Sequence, residues 1–369
     1  MSDPLPTDVL VIGSGMAGAA ISKRLSDRGV RVVCLGQGPW VLPAEHPHYS
    51  NEFEFELMRE WNRNPNLRRA ATDYPVTPEG DITAPMLMNV VGGSTTHYNA
   101  HWPRLRPSDF RKGTEHGLEG AADWPISYED LAPYYELNDA ELGISGIHGD
   151  PSVPPRSPRG TKPLPFGTHG RRMAEAFDKL GWHWWPAENG IITEDYDGRV
   201  ACNGCGACRN GCPRGSLAMT TRTYWPKAIR NGVELRDLCR VEQITTDEHG
   251  RANGAVYIDL RTGERKHQQA SIVVLSASGF GTPRILLLSA SGRYPNGLAN
   301  SSGLVGRYLM HHAYAEQTIV FDEPVNSFSG AYGAPIFSQQ FAETDVSRGC
   351  VNGFTFQIGR GSTPSHTAV

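Results

Sequence analysis

Four of the seven cysteines lie within eleven residues, at a spacing that is typical of metal binding. They are Cys202, Cys205, Cys208 and Cys212, spaced as C-x2-C-x2-C-x3-C and followed by Pro213. Bacterial ferredoxins use this run for cubane iron–sulfur clusters. Four thiolates also suit tetrahedral zinc. The same spacing is compatible with two disulfides, with reduced thiols that pack a loop, and with a run that binds nothing.

A second chemical feature is the glycine pattern G-x-G-x-x-G, formed by Gly13, Gly15 and Gly18 directly after the apolar run Thr7–Ile12. In dinucleotide-binding folds the first glycine permits a tight turn and the second lets the backbone approach a pyrophosphate. The third lets the following helix pack closely on the strand. The N-terminus of that helix offers free N–H groups to the phosphates. A glycine-rich turn without a ligand is the alternative.

One expected part of this dinucleotide motif is missing from the sequence. An acidic residue normally follows the second strand and binds the ribose hydroxyls. Here Gly36 takes that place, and Gln37 follows it. Gln37 can make one hydrogen bond to the ribose, whereas Gly36 offers only its backbone. We therefore expect weakened dinucleotide affinity.

The hydrophobic patterning supplies the elements that position these motifs. Apolar runs at Thr7–Ile12 and 30–35 predict buried parallel strands, and helical spacing between them completes a βαβ unit. A capped helix is predicted to start within 124–131 and to run to about 142. Further helices are predicted near 170–180, at 223–232 and at 281–288, the last with Pro283 in its first turn. Short strands are predicted in 233–270, followed by an apolar strand at 271–276.

Segment 90–99, which reads VVGGSTTHYN, resembles the glucose–methanol–choline (GMC) family of flavoprotein oxidoreductases when it is taken together with the glycine motif. Residues 124–135, 276–289 and 305–311 are similar to three further segments of that family, in the same order. The resemblance implies an α/β plus α+β fold, with a Rossmann-like FAD-binding domain and a substrate domain built on an antiparallel sheet. It also implies FAD and hydride transfer to flavin N5 from a CH–OH donor such as a sugar, a polyol or another alcohol.

The predicted organisation follows from the order of these segments. FAD-binding regions are expected at 1–142 and 233–312. A linker and cysteine-cluster region is expected at 143–232, and part of the substrate domain at 313–369.

The resemblance also assigns residues to FAD. Gly13, Gly15 and Gly18 would hold the pyrophosphate. The residues placed at the flavin ring are Gly92, Gly93, Ser94, His97, Asn99 and Ala100. Val241, in a predicted strand, is placed at the adenine. The place of His97 is where choline oxidases and pyranose 2-oxidases carry a histidine bonded to the flavin. A flavin-pocket histidine without that bond is the alternative.

With Cys205 left out, the cysteine run resembles the cluster-binding run of membrane-associated sugar dehydrogenases in this family. This implies a 3Fe-4S or 4Fe-4S cluster on Cys202, Cys208 and Cys212. The ferredoxin-like spacing adds Cys205 as the expected fourth ligand, and a site with three ligands is the alternative. Such a cluster would relay electrons, with an electron-acceptor partner subunit. The alternatives are an oxygen-using alcohol or sugar oxidase with a non-metal cysteine loop, and a non-catalytic flavin-binding or electron-carrier subunit.

Composition and charge bear on which classes of binding partner and which cellular location are expected. The net charge of −4 and the absence of basic stretches give no reason to expect nucleic acid binding. The apolar runs are too short for membrane insertion, and no secretory signal is recognisable, so a cytoplasmic location is expected.

Family enzymes take the alcohol proton with a histidine near the C-terminus. Residues 364–369 hold nothing similar, and His366 is a poor substitute. We therefore expect an FAD domain that is incomplete at its C-terminus, unassigned catalytic residues and no turnover by this chain alone.

Overall fold

The computed structural model describes residues 5–47, 53–74, 76–77, 79, 86–117, 120–349 and 351–361, so His366 lies outside the described residues. The chain forms two compact units. The first comprises Met1–His97 and Met219–Glu316, and the second comprises Tyr98–Ala218 and Gln317–Val369. The domain boundaries expected near 142, 232 and 312 stay predictions.

Strands and helices are grouped along the chain. The strands are β1 (Thr7–Ile12), β2 (Val32–Leu35), β3 (Trp185–Pro186), β4 (Glu234–Arg236), β5 (Cys239–Thr246), β6 (Ala252–Asp259), β7 (Arg265–Leu275), β8 (Ile336–Ser338) and β9 (Phe356–Ile358). The helices are α1 (Met16–Ser26), α2 (Phe53–Met58), α3 (Pro65–Arg68), α4 (Lys112–His116), α5 (Tyr128–Leu142), α6 (Gly167–Leu180), α7 (Tyr224–Arg230) and α8 (Ser278–Leu288). Helices α2 to α6 follow β2, and four successive strands run from β4 to β7. No helix in the described part of the chain is long and apolar enough to cross a membrane.

The first unit is built on a six-stranded mixed sheet with the order β4-β2-β1-β7-β6-β5. β1 pairs in parallel with β2 on one side and with β7 on the other. Leu10, Ile12, Val33 and Leu35 are buried in one apolar cluster with residues of β5 and β6. The predicted βαβ unit is therefore confirmed, because α1 connects the two buried parallel strands.

Strand β7 serves two different pairings along its length. Residues 265–269 pair antiparallel with β6, and residues 270–275 run parallel to β1. The apolar strand predicted at 271–276 is thus the second half of a longer strand. Its apolar composition fits its place beside β1, whereas the polar first half belongs to the antiparallel ribbon.

The predicted start of the last helix was wrong. α8 begins at Ser278, so Pro283 lies inside the helix rather than in its first turn. The Ser278 hydroxyl accepts hydrogen bonds from the backbone N–H groups of Phe280 and Gly281, each at 3.4 Å. This local cap starts the helix earlier than the apolar run indicates, because serine side chains stabilise free N–H groups at a helix start.

The second unit contains a three-stranded antiparallel sheet with the order β3-β8-β9, together with α4, α5 and α6. The predicted capping box is confirmed at the start of α5, where Ser127 and Asp130 bond each other's backbone N–H groups. Ala174 and Phe177 of α6 form a buried cluster with Ile336 of β8.

Candidate functional site

The glycine loop between β1 and α1 depends on two of its three glycines for its own shape. Gly13 has φ +105°, and a Cβ atom there would lie 2.4 Å from the carbonyl oxygen of Ser276. A Cβ atom at Gly18 would lie 1.9 Å from the carbonyl oxygen of Gly13. Both contacts are far shorter than van der Waals packing permits, so only glycine allows this close approach of backbones.

Gly15 differs from its two neighbours in the motif. It is the N-cap of α1, with φ −74° and ψ −159°, a conformation open to any residue. A Cβ atom at Gly15 would meet nothing within 4 Å. The first turn of α1 has no side-chain cap and no acidic residue. Free N–H groups and the positive end of the helix dipole therefore face open space, which suits an anionic group.

The turn at Gly92 and Gly93 lies directly against this loop. The Gly92 N–H donates to the carbonyl oxygen of Ser14 at 3.0 Å, and a Cβ atom at Gly93 would lie 3.3 Å from Gly15 Cα. The indole N–H of Trp225 also donates to the Ser14 carbonyl oxygen at 3.0 Å. The structure thus brings together the glycine motif and the predicted flavin turn. The Trp225 contact was not foreseen from the sequence.

His97 is buried in an aromatic cluster of the same unit. Its ring stacks on Trp61 at a centroid distance of 5.2 Å and lies 5.4 Å from the ring of His46. Its Nδ1 atom is 2.7 Å from the hydroxyl oxygen of Thr96. The orientation of the ring is therefore set by protein contacts. Nothing in the sequence pattern pointed to Trp61 or His46.

At the end of β2, both backbone polar groups of Gly36 are already hydrogen-bonded within the protein. Its N–H donates to the carbonyl oxygen of Arg236 and its carbonyl oxygen accepts from the Cys239 N–H, both at 2.8 Å. A Cβ atom at Gly36 would point at the Ser14 hydroxyl, 2.7 Å away. The amide nitrogen of the Gln37 side chain donates to the carbonyl oxygen of Thr72 at 2.7 Å.

The remaining predicted residues lie in separate places. Ser94 accepts a hydrogen bond from the Met88 N–H at 3.3 Å. Val241 is buried in β5, next to an irregularity in its pairing with β6. Asn99 and Ala100 belong to the second unit, where Ala100 has φ +64° and its carbonyl oxygen accepts from the Gly190 N–H at 2.7 Å. The side-chain oxygen of Asn99 is buried, without a hydrogen-bond partner among the described residues.

The four cysteines of the run form one loop of the second unit as free thiols. Cys208 and Cys212 are buried, Cys202 is half-buried and Cys205 is exposed. Backbone N–H groups of Gly204 and Tyr332 lie 3.4 Å from the sulfur atoms of Cys202 and Cys208, respectively. Among the residues that the structure describes, no three histidine, cysteine, aspartate or glutamate side chains are placed to hold one metal ion.

Burial favours the protonated form of two of these thiols, those of Cys202 and Cys208. It raises the pKa of Cys208 to about 12 and raises the pKa of Cys202 above its ordinary value. Metal ligation requires the thiolate form, so a cluster would bind here with release of these protons. The donor chemistry of the loop fits an iron–sulfur cluster, whereas the present arrangement of its side chains does not form a closed site.

Two arginines enclose an aromatic ring beside the cysteine loop. The guanidinium carbons of Arg209 and Arg360 lie 4.8 and 4.9 Å from the ring centroid of Tyr332. Arg360 also donates to the carbonyl oxygen of Gly330 at 2.9 Å. Sequence reasoning missed this cluster, since its members are far apart in the chain and share no motif.

Comparison with known proteins agrees with this geometry. A family profile described as GMC oxidoreductase matches residues 7–314. The chain is 54% identical over 365 residues to 2-methyl-1,2-propanediol dehydrogenase of Mycolicibacterium austroafricanum, which covers 98% of the chain and 65% of that protein. It is 29% identical over 358 residues to the fructose dehydrogenase large subunit of Gluconobacter japonicus, covering 89% of the chain and 63% of that subunit. The chain therefore spans less than two thirds of the length of these relatives.

Solved structures with the same fold include two oxidases. Pyridoxine 4-oxidase from Mesorbium loti superposes with a TM-score of 0.51 at 19% identity, over 77% of this chain and 52% of that one. Formate oxidase of Aspergillus oryzae superposes with a TM-score of 0.50 at 18% identity, over 79% and 48%. Identities this low establish the fold alone.

Proposed function

Because the chain belongs to the GMC oxidoreductase family, we propose that it is the FAD-binding part of a dehydrogenase that oxidises CH–OH donors. One observation carries the FAD proposal. The uncapped N-terminus of α1 faces open space at Gly15, where the turn at Gly93 also lies. A pyrophosphate is the part of FAD that such a site binds.

The residues of the first unit fit this cofactor. N–H groups in the first turn of α1 would bind the pyrophosphate, because no side chain caps them. The missing side chain at Gly93 lets this turn lie against the glycine loop, because a Cβ atom there would be 3.3 Å from Gly15 Cα. His97 holds one ring orientation through Trp61 and Thr96. Bound FAD would supply the hydride acceptor, at flavin N5.

The second unit offers a separate polar group. The buried side-chain oxygen of Asn99 has no partner among the described residues, and burying such a group costs free energy unless a ligand binds it. We propose that the Asn99 side-chain oxygen accepts a hydrogen bond from a bound ligand. The catalytic base stays unassigned.

The substrate proposal depends on the relative with the higher identity. A chain that is 54% identical to an enzyme named for a small branched diol is proposed to act on diols of that size. Sugars are the second proposed substrate class, because the chain is also similar to the fructose dehydrogenase large subunit. The FAD-loaded protein should bind 2-methyl-1,2-propanediol more tightly than fructose, as measured by the change in the flavin absorption spectrum on titration. The reverse order would refute the diol proposal.

Flavin content tests the proposal most directly. The purified protein should show the two visible absorption bands of a flavin. Mass spectrometry of the flavin should identify FAD rather than FMN. A folded sample that contains no flavin after incubation with FAD would refute the assignment of the glycine loop.

We also propose that Cys202, Cys208 and Cys212 hold an iron–sulfur cluster, with Cys205 as the fourth ligand. Two observations favour this proposal over a structural loop. The spacing is that of ferredoxins, and backbone N–H groups already lie beside two of the four sulfur atoms. Anaerobic purification should give three or four irons for each chain. One zinc, or no metal, would favour the oxygen-using oxidase.

A further inference from the structure

The backbone carbonyl of Thr72, which contacts the Gln37 side chain just after β2, has three side-chain donors. The oxygen of Thr72 accepts from the side-chain nitrogens of Gln37 at 2.7 Å, Asn89 at 3.0 Å and Arg240 at 2.8 Å. A carbonyl oxygen has two lone pairs, so three donors compete for two positions. At least one of these donors is therefore available to a ligand.

Of the three donors, Arg240 has the most N–H groups left without a hydrogen-bond acceptor within the described ranges. No carboxylate pairs with it among the residues that the structure describes, and its Nε atom is buried without a partner there. Its remaining bond, to the carbonyl oxygen of Asp73, is long at 3.3 Å. A guanidinium group carries five N–H donors, and few of them are satisfied here.

The position of this cluster indicates its ligand. Gln37 follows Gly36, and in dinucleotide-binding folds an acid at the Gly36 position binds the ribose. The Cβ direction of Gly36 points at Ser14 of the glycine loop, so the two motifs face each other. Ribose hydroxyls that lack an acid to accept from them can instead accept hydrogen bonds themselves.

We infer that Arg240, together with Gln37, replaces the missing acid and binds the adenosine ribose of FAD. This inference rests on the proposed FAD function. The Thr72 carbonyl orders both side chains before the ligand enters. The segment is itself held firmly, because Arg68 and Asp73 form a two-bond ion pair at 2.9 and 2.8 Å with side chains only 5% and 8% exposed.

Two arginine variants and one asparagine variant test the assignment. Arg240→Met should raise the dissociation constants of FAD and of ADP together, by about tenfold to a hundredfold, as expected for one or two lost charged hydrogen bonds. Arg265→Met removes an arginine from an exposed ion pair with Glu242 and should leave both constants unchanged. Asn89→Ala removes a donor from the same Thr72 oxygen and should change both constants less than about twofold, because neutral hydrogen bonds contribute little net free energy.

Restoring the acid gives the decisive comparison. Gly36→Glu introduced into the Arg240→Met variant should recover most of the lost affinity once the Ser14 hydroxyl rotates away from the new Cβ atom, because the carboxylate again binds the ribose. Unchanged FAD and ADP affinity in Arg240→Met would overturn the inference. So would equal losses in Arg240→Met and Asn89→Ala, which would show that the cluster only supports the segment. If the unsubstituted protein binds no FAD, the proposed function itself fails, and this result is distinguishable from the other two.

Discussion

Replacing Gly15 with alanine separates ligand binding from folding. The backbone angles of Gly15 are open to alanine, and its Cβ atom would meet nothing within 4 Å. Alanine is a poorer N-cap than glycine by up to about 1 kcal/mol. It also reduces the entropy of the unfolded chain, which offsets about 0.4–1 kcal/mol. We therefore expect the melting temperature of the cofactor-free protein to change by only a few degrees.

The same methyl group should strongly weaken FAD binding. It would stand where the pyrophosphate approaches the N–H groups of α1. A hydrogen bond to a charged group contributes about 1.5–3 kcal/mol. Losing one such bond raises the dissociation constant by roughly ten- to a hundredfold, since each 1.4 kcal/mol is about a factor of ten.

Two further glycine variants serve as matched controls. Gly292→Ala also adds a methyl group to open space, but outside the glycine loop. It should leave FAD affinity unchanged and change the free energy of unfolding by no more than about 1 kcal/mol. Gly18→Ala places its Cβ atom 1.9 Å from a backbone oxygen and should destabilise the unit itself. Titration with FAD and thermal unfolding of the cofactor-free variants measure both quantities. If Gly15→Ala bound FAD as tightly as the unsubstituted protein, the pyrophosphate would not lie at this helix N-terminus.

Three further predictions concern separate parts of the chain. Cys208→Ser should abolish iron and acid-labile sulfide in the anaerobically purified protein while FAD stays bound; retention of both would exclude Cys208 as a ligand. Acid precipitation should leave the flavin in the supernatant, because the His97 ring is held by Trp61 and Thr96; flavin in the washed pellet would establish a covalent bond. Asp139→Ala should lower the free energy of unfolding by about 1–3 kcal/mol, because the buried Arg104 and Arg159 lose this partner while Glu136 and Glu188 stay paired with them. The exposed pair of Lys162 and Glu194 is the control, since Glu194→Ala should cost no more than about 1 kcal/mol in denaturant unfolding.

The sequence by itself determined the features that depend on neighbouring residues. The βαβ unit follows from two apolar runs and the helical spacing between them. The start of α5 follows from the Ser127 capping box. The cysteine loop follows from four residues of one type at short spacing. Such signals are local, because helix caps and strand patterns involve residues that are close in the chain.

Only the tertiary structure decided which chemistry each motif can perform. Positions 15 and 18 are both glycine and belong to one motif, yet packing requires glycine at position 18 and leaves open space at position 15. Trp61 reaches His97, and Arg240 reaches the Thr72 carbonyl, through contacts between distant parts of the chain. Such contacts depend on how the strands and loops pack around a common core. Periodicity and spacing carry no signal for them, because neither describes which distant segments become neighbours.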